Sequence, residues 1–86
     1  MKTYQYQPGN GCNYDLVYAK YPGLNRYLLA WLHKGGSGGS SFSFHGDSYI
    51  TAGYLMEKMG LHHAGHAQAL LGFLAEQGHE VEQPSD

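Results

Sequence analysis

The sequence predicts a single α+β domain with a tri-helical core and a short antiparallel sheet of two or three strands. The chain has 86 residues, which leaves room for one hydrophobic core only. Apolar residues recur at helical spacing in three stretches, and aromatic residues alternate with polar ones in two shorter stretches. With 42% hydrophobic and 14% charged residues, the composition excludes a disordered chain. We therefore treat residues 1–86 as one domain.

The first predicted element is a strand over residues 2–7. Tyr4 and Tyr6 fall on one side of such a strand, and polar residues fall on the other. The following Pro-Gly-Asn-Gly segment, residues 8–11, is typical of a turn.

Residues 14–34 are predicted to be mainly helical. Their second half has apolar residues at i, i+3, i+4, i+7 and i+8, the spacing of an amphipathic helix. These residues are Leu24, Tyr27, Leu28, Trp31 and Leu32. Pro22-Gly23 either interrupts the helix or begins a fresh one, because proline disfavours helix before it and suits a first turn.

A glycine–serine segment, residues 35–41, follows this first helix. We expect a flexible loop there, of native origin or an engineered linker. Phe42 and Phe44 then alternate with serines, which predicts a second short strand over residues 41–45.

A second helix is predicted to begin after Asp47, Ser48 or Thr51, each of which can cap it, and to end at Met59. Gly60 suits the left-handed conformation that ends many helices.

A third helix is expected from about residue 64 to residue 77. Its predicted inward side is apolar and consists of Ala67, Leu70, Leu71, Phe73 and Leu74. Gly78 is expected to stop this helix. A short strand over residues 79–82 and a frayed tail over residues 83–86 complete the prediction.

Residues 42–82 resemble the winged-helix domains of bacterial transcription regulators. The resemblance rests on Leu55, Met59 and Leu61 around the glycine turn, and on Leu70, Phe73, Leu74 and the closing Glu-Gln-Gly of residues 76–78. It implies a helix-turn-helix-like pair formed by the second and third helices. Two features depart from the family. His66 stands where an aliphatic residue is usual, and the chain ends soon after the first wing strand, which implies a truncated winged helix.

The outward side of the third helix favours a protein partner. Gly65, Gln68, Gly72 and Glu76 lie there, without any lysine or arginine, and the formal net charge of the chain is −2. DNA binding depends on cations that neutralise phosphates, so nucleic acid is disfavoured.

Tyrosines near the first helix form a second candidate contact group, because tyrosine is enriched at protein interfaces. They are Tyr14, Tyr18 and Tyr21. We expect a non-enzymatic interaction module, with a homodimer as one arrangement. In general style it is similar to small inhibitors encoded by phages or mobile elements, such as anti-CRISPR proteins, which would act by occluding a partner surface.

Two alternatives remain open. A dimeric DNA-binding regulator would read bases with Gln68, His62 or His63 and hold phosphates with Lys34 and Lys58. A zinc site would use His62 and His66, which lie one helical turn apart. That site lacks a second ligand pair of recognised spacing, so we expect no metal and no cofactor.

No nucleophile elbow or phosphate-binding loop occurs in the sequence, so we expect no enzymatic activity. The single cysteine, Cys12, excludes an internal disulfide and suits a reducing compartment. No apolar run has the length of a membrane span. The expected location is therefore the cytoplasm.

Overall fold

A four-stranded antiparallel sheet forms one layer of the protein, and two helices form the other. The computed structural model describes residues 2–6, 14–33, 38–61 and 64–83. The sheet runs in chain order through β1 (Lys2–Tyr6), β2 (Tyr14–Lys20), β3 (Arg26–His33) and β4 (Gly39–His45). The remaining elements are β5 (Tyr49–Ile50), α1 (Ala52–Met59), α2 (Ala64–Glu76) and β6 (Glu80–Val81). Strands β5 and β6 pair in parallel as a separate two-stranded sheet.

The predicted first helix is wrong, because residues 14–33 form the hairpin of β2 and β3. Pro22-Gly23 occupies the centre of the connecting turn, where Leu24 N–H donates to the Tyr21 carbonyl at 3.3 Å. Gly23 has a φ of 74°, as position i+2 of a type II turn requires, and proline suits position i+1. The dipeptide therefore reverses the chain between two strands.

The apolar run over residues 27–32 explains why the helical interpretation failed. Every residue from Tyr27 to Leu32 is apolar or aromatic, so the run satisfies both helical and strand periodicity. In the fold, Leu29 and Trp31 are buried, whereas Leu32 is 50% exposed. Pairing with β2 on one side and β4 on the other satisfies the backbone of β3, which decides in favour of the strand.

The tri-helical core and the truncated winged helix are therefore not formed. The described chain contains two helices, and its main sheet has four strands where two or three were predicted. The two later predicted helices are present: α1 begins after Thr51, one of the three predicted caps, and ends at Met59, and α2 ends at Glu76, one residue before the predicted end. Thr51 caps α1 by accepting a hydrogen bond from Tyr54 N–H at 3.0 Å, and Gly60 ends it with a φ of 61°. The predicted inward residues of α2 are all buried. Strand β4 starts at Gly39, so part of the expected flexible loop belongs to the sheet.

Both helices pack on one face of the sheet. The core between the layers contains Leu16 and Leu29 from the sheet and Leu55, Leu70 and Leu74 from the helices, all fully buried. Tyr18 meets Phe73 edge to face with ring centroids 5.5 Å apart, and Phe42 meets Tyr54 in the same way at 5.5 Å. Apolar side chains on alternate sheet positions thus hold the two layers together.

The ends of α1 are bonded to the rest of the fold. At its C-terminal end, Trp31 Nε1 donates to the Met59 carbonyl at 2.5 Å, and the Ser40 hydroxyl donates to the Lys58 carbonyl at 3.4 Å. At its N-terminal end, the Glu82 carboxylate accepts from Ala52 N–H at 3.1 Å. These groups have no partners within the helix, so the sheet and β6 supply them.

The glycines of the helical layer are expected to respond to alanine in opposite directions. At Gly72 a Cβ atom would enter open space within a helix, so Gly72→Ala should raise the free energy of unfolding by about 0.5–1 kcal/mol. Gly60→Ala should lower it, because a side chain is strained at a φ of 61°. Urea unfolding of both variants beside the parent chain measures the difference. Equal shifts for both variants would contradict the prediction.

Candidate functional site

The predicted partner surface on α2 is largely accessible. Gly65, Gly72 and Glu76 are exposed, whereas Gln68 is half-buried. The Gln68 amide oxygen is buried without a hydrogen-bond partner among the described residues. A shallow groove with mostly apolar walls adjoins Gly72. It is lined by Leu71, Gly72, Ala75, Val81, Glu82 and Gln83. The accessible part of the α2 face thus consists of Gly65, Gly72 and Glu76, with the groove at one side.

The predicted tyrosine surface is not formed as a group. Tyr18 is 8% exposed and belongs to the core, so its assignment as a contact residue is wrong. Tyr21 is half-buried at the end of β2, with the Arg26 guanidinium 5.9 Å from its ring centre. Tyr14 begins β2. A hairpin takes the place of the expected helix. Successive residues of a strand point to opposite faces, so Tyr18 and Tyr21 lie on different sides of the sheet.

Tyr18 instead forms a buried pair with His79, at the start of the segment that follows α2. The Tyr18 hydroxyl and His79 Nε2 are 2.5 Å apart. The rings of Tyr27, Phe44 and Tyr18 meet the imidazole edge to face, with centroids 4.6, 5.1 and 5.7 Å away. Burial lowers the pKa of His79, and a hydrogen bond to the Gly46 backbone partly opposes this. Burial, aided by Tyr27, raises the pKa of Tyr18. The tyrosine therefore donates to a neutral imidazole.

The residues of the DNA and zinc alternatives do not come together within the described chain. His66 is 1% exposed and meets Trp31 edge to face at 6.4 Å. Lys58 is exposed on α1, with its ammonium 5.9 Å from the Tyr54 ring centre. His62, His63 and Lys34 lie outside the described residues. Within residues 2–6, 14–33, 38–61 and 64–83, no three metal-ligating side chains cluster. The DNA alternative also loses the tri-helical core on which it relied.

The side of the sheet turned away from the helices is a further candidate surface, and we call it the open face. Its described side chains come from alternate positions of β2, β3 and β4 and from Tyr21. They are Asp15, Val17, Ala19, Tyr21, Arg26, Leu28, Ala30, Leu32, Gly39, Ser41, Ser43 and His45. None of them belongs to the buried core. The sheet–helix contacts through Trp31, Tyr18, Ser40 and Phe42 all leave from the opposite face.

The centre of the open face on β2 and β3 is apolar. Val17 pairs with Ala30 and Ala19 pairs with Leu28, and all four are half-buried. Beside them, Leu32 is 50% exposed. Small and apolar neighbours that no element of the described chain covers are typical of a surface that another protein covers.

The two ends of the open face carry opposite charges. Arg26 pairs with His45 across β3 and β4 at one end, and the Arg26 Nε donates to the Ser43 hydroxyl at 3.2 Å. Asp15 pairs with Leu32 at the other end. Arg26 and Leu32 are six residues apart on β3, so about 20 Å separates the two ends of the face.

Sequence reasoning missed the open face because residues 14–34 were interpreted as helix. The signal that could have revealed it is the Pro22-Gly23 turn between two apolar stretches of similar length. With the turn placed there, Leu28 and Leu32 fall on the side opposite Leu29 and Trp31. Apolar residues on both sides of a strand are the sequence pattern of a strand that is buried on both faces.

Neither helix in the described part of the chain is long and apolar enough to cross a membrane. A scan against protein-family models found no match for the sequence, and neither curated proteins nor solved structures gave one.

Proposed function

We propose that the chain is a non-enzymatic protein–protein interaction module that binds through the open face of its sheet. The observation that supports the proposal is the apolar surface of that face, where Leu28 and Val17 are half-buried at the centre and Leu32 is half exposed at the Asp15 end. Burying such a surface removes apolar area from water at roughly 25 cal/mol per Å². The opposite face is already used for the helical layer.

The mode of action that fits this surface is occlusion. The open face presents small and apolar side chains such as Val17, Ala19 and Ala30, which suit a broad contact, whereas small-molecule sites are concave. The open face can cover a complementary surface on a partner and thereby block it. The small net charge of −2 and the single arginine at one end of the face favour a protein over a nucleic acid as the partner.

Affinity capture from an extract of the source cells tests the proposal with two variants of equal charge change. Leu28→Glu with Leu32→Glu places two carboxylates on the open face. Gly65→Glu with Gly72→Glu places two on the exposed side of α2. Proteins identified by mass spectrometry with the parent chain should be retained by the α2 variant and lost with the open-face variant.

Thermal unfolding by circular dichroism confirms that each variant is folded before capture. If only the α2 variant fails to capture these proteins, the binding surface lies on α2 and not on the open face. Capture of the same proteins by all three chains would overturn the proposal.

A further inference from the structure

We propose that the occupant of the open face is a second copy of this chain, packed face to face with its strands running antiparallel to the first. The inference rests on the proposed function, because it names the partner of the same surface. The supporting observation is that two copies of the open face are complementary to each other in both charge and side-chain size.

Charge selects the antiparallel arrangement. A two-fold axis across the strands, midway along the open face, places the Arg26 end of one copy over the Asp15 end of the other. Opposite charges then face each other at both ends of the interface, because two-fold symmetry repeats every contact with the two copies exchanged. The parallel alternative would place the Arg26 end of one copy over the Arg26 end of the other, and like charges in contact oppose association.

Side-chain size agrees with the same axis. On β3 the axis places Leu28 over Ala30, and on β2 it places Val17 over Ala19, so a larger residue meets a smaller one each time. On β4 it places His45 over Gly39, where a ring meets no side chain. Alternating large and small residues lets two sheets interdigitate at their usual separation of about 10 Å.

The area of the face sets the expected strength. Four strands of about seven residues cover roughly 450 Å² at standard strand spacing and rise. Two such faces bury about 900 Å² in total, which is at the low end for specific interfaces. We therefore expect a reversible dimer with a dissociation constant on the order of micromolar to millimolar.

Sedimentation equilibrium of the purified chain at low salt tests the dimer with a charge exchange. Arg26→Asp alone and Asp15→Arg alone each place like charges together twice, and each should weaken self-association about tenfold. An equimolar mixture of the two variants restores opposite charges at both ends, so it should recover the affinity of the parent chain. Lys58→Asp removes an exposed cation away from the face and should leave self-association unchanged.

A parent chain that stays monomeric up to about 1 mM, which is the weak limit of the expected range, would overturn the dimer. Single variants that weaken it without rescue in the mixture would overturn the antiparallel arrangement. Rescue in the mixture also excludes misfolding as the cause of the single-variant losses. A monomeric parent chain that still loses captured proteins through Leu28→Glu with Leu32→Glu would leave the proposed function standing with a different partner.

Discussion

Trp31→Ala is expected to lower the free energy of unfolding by about 3–5 kcal/mol. The indole is 8% exposed and stands between the sheet and the helical layer, where it meets His66 and donates to the Met59 carbonyl. Its removal leaves a cavity and frees the last turn of α1. A domain of this size has a total stability of about 5–15 kcal/mol, so the variant should be partly unfolded at 37 °C.

Trp31→Phe separates the two contributions, because phenylalanine keeps most of the apolar volume and removes the donor. It should cost about 1–3 kcal/mol, the range for leaving a buried polar group without its partner. Leu24→Ala is the matched control, since Leu24 is 54% exposed in the β2–β3 turn and should shift stability by about 0.5 kcal/mol or less. Urea unfolding measures all three. A Trp31→Ala loss no larger than that of Leu24→Ala would contradict the role of the indole.

Tyr18→Phe is expected to cost about 1–3 kcal/mol at pH 8, because it leaves His79 Nε2 buried without its donor. The imidazole is 9% exposed. His79 lies between α2 and β6, and its ring packs against Tyr27 of the sheet. Tyr54→Phe is the matched control, because it removes a hydroxyl from a half-buried ring on α1. A similar loss in both variants would show that the Tyr18–His79 bond contributes nothing specific.

The same pair predicts that acid destabilises the fold. The titratable groups facing His79 are Tyr18 and Tyr27. Phe44 of β4 and the backbone of Gly46, just after β4, also contact it. None of these carries a charge near neutral pH, so burial dominates and lowers the pKa of His79. The unfolded chain then binds a proton at a higher pH than the folded chain does. The stabilisation is complete above the ordinary histidine pKa of about 6.5 and is lost as the pH falls through the lower folded value.

Unfolding free energies of the parent chain and His79→Gln between pH 8 and pH 5 test this pH dependence. Glutamine can still accept from Tyr18 and does not titrate, so the variant should show a flatter profile. The difference between the two profiles isolates His79 from the other histidines. Parallel profiles would exclude His79 as the cause of any acid sensitivity.

The helical layer could be predicted from the sequence because its signals are local. Thr51, Gly60 and Gly78 mark the helix ends through side-chain capping and left-handed backbone, which depend on neighbouring residues only. The buried side of α2 follows from the helical period in the same way. Prediction therefore reached the position of both helices and the exposure of Gly65 and Gly72.

The two central strands, β2 and β3, could not be predicted from the sequence, because strand pairing is not local. Residues 27–32 carry both periodicities, and only hydrogen bonds to β2 and β4 select the strand. The open face depends on that choice, since a strand sends Leu28 and Leu32 to the side opposite Trp31. The burial of Tyr18 follows from it as well.

By itself, then, the sequence determined one small domain, the α1–α2 pair with its caps, and a charge that disfavours nucleic acid. The tertiary structure decided that residues 14–33 form a hairpin, that Tyr18 is a core residue bonded to His79, and that no element of the described chain covers one apolar face of the sheet. The physical reason is the range of the interactions. Helices and their caps are set within a few residues, whereas a sheet forms only when distant segments supply each other's hydrogen bonds.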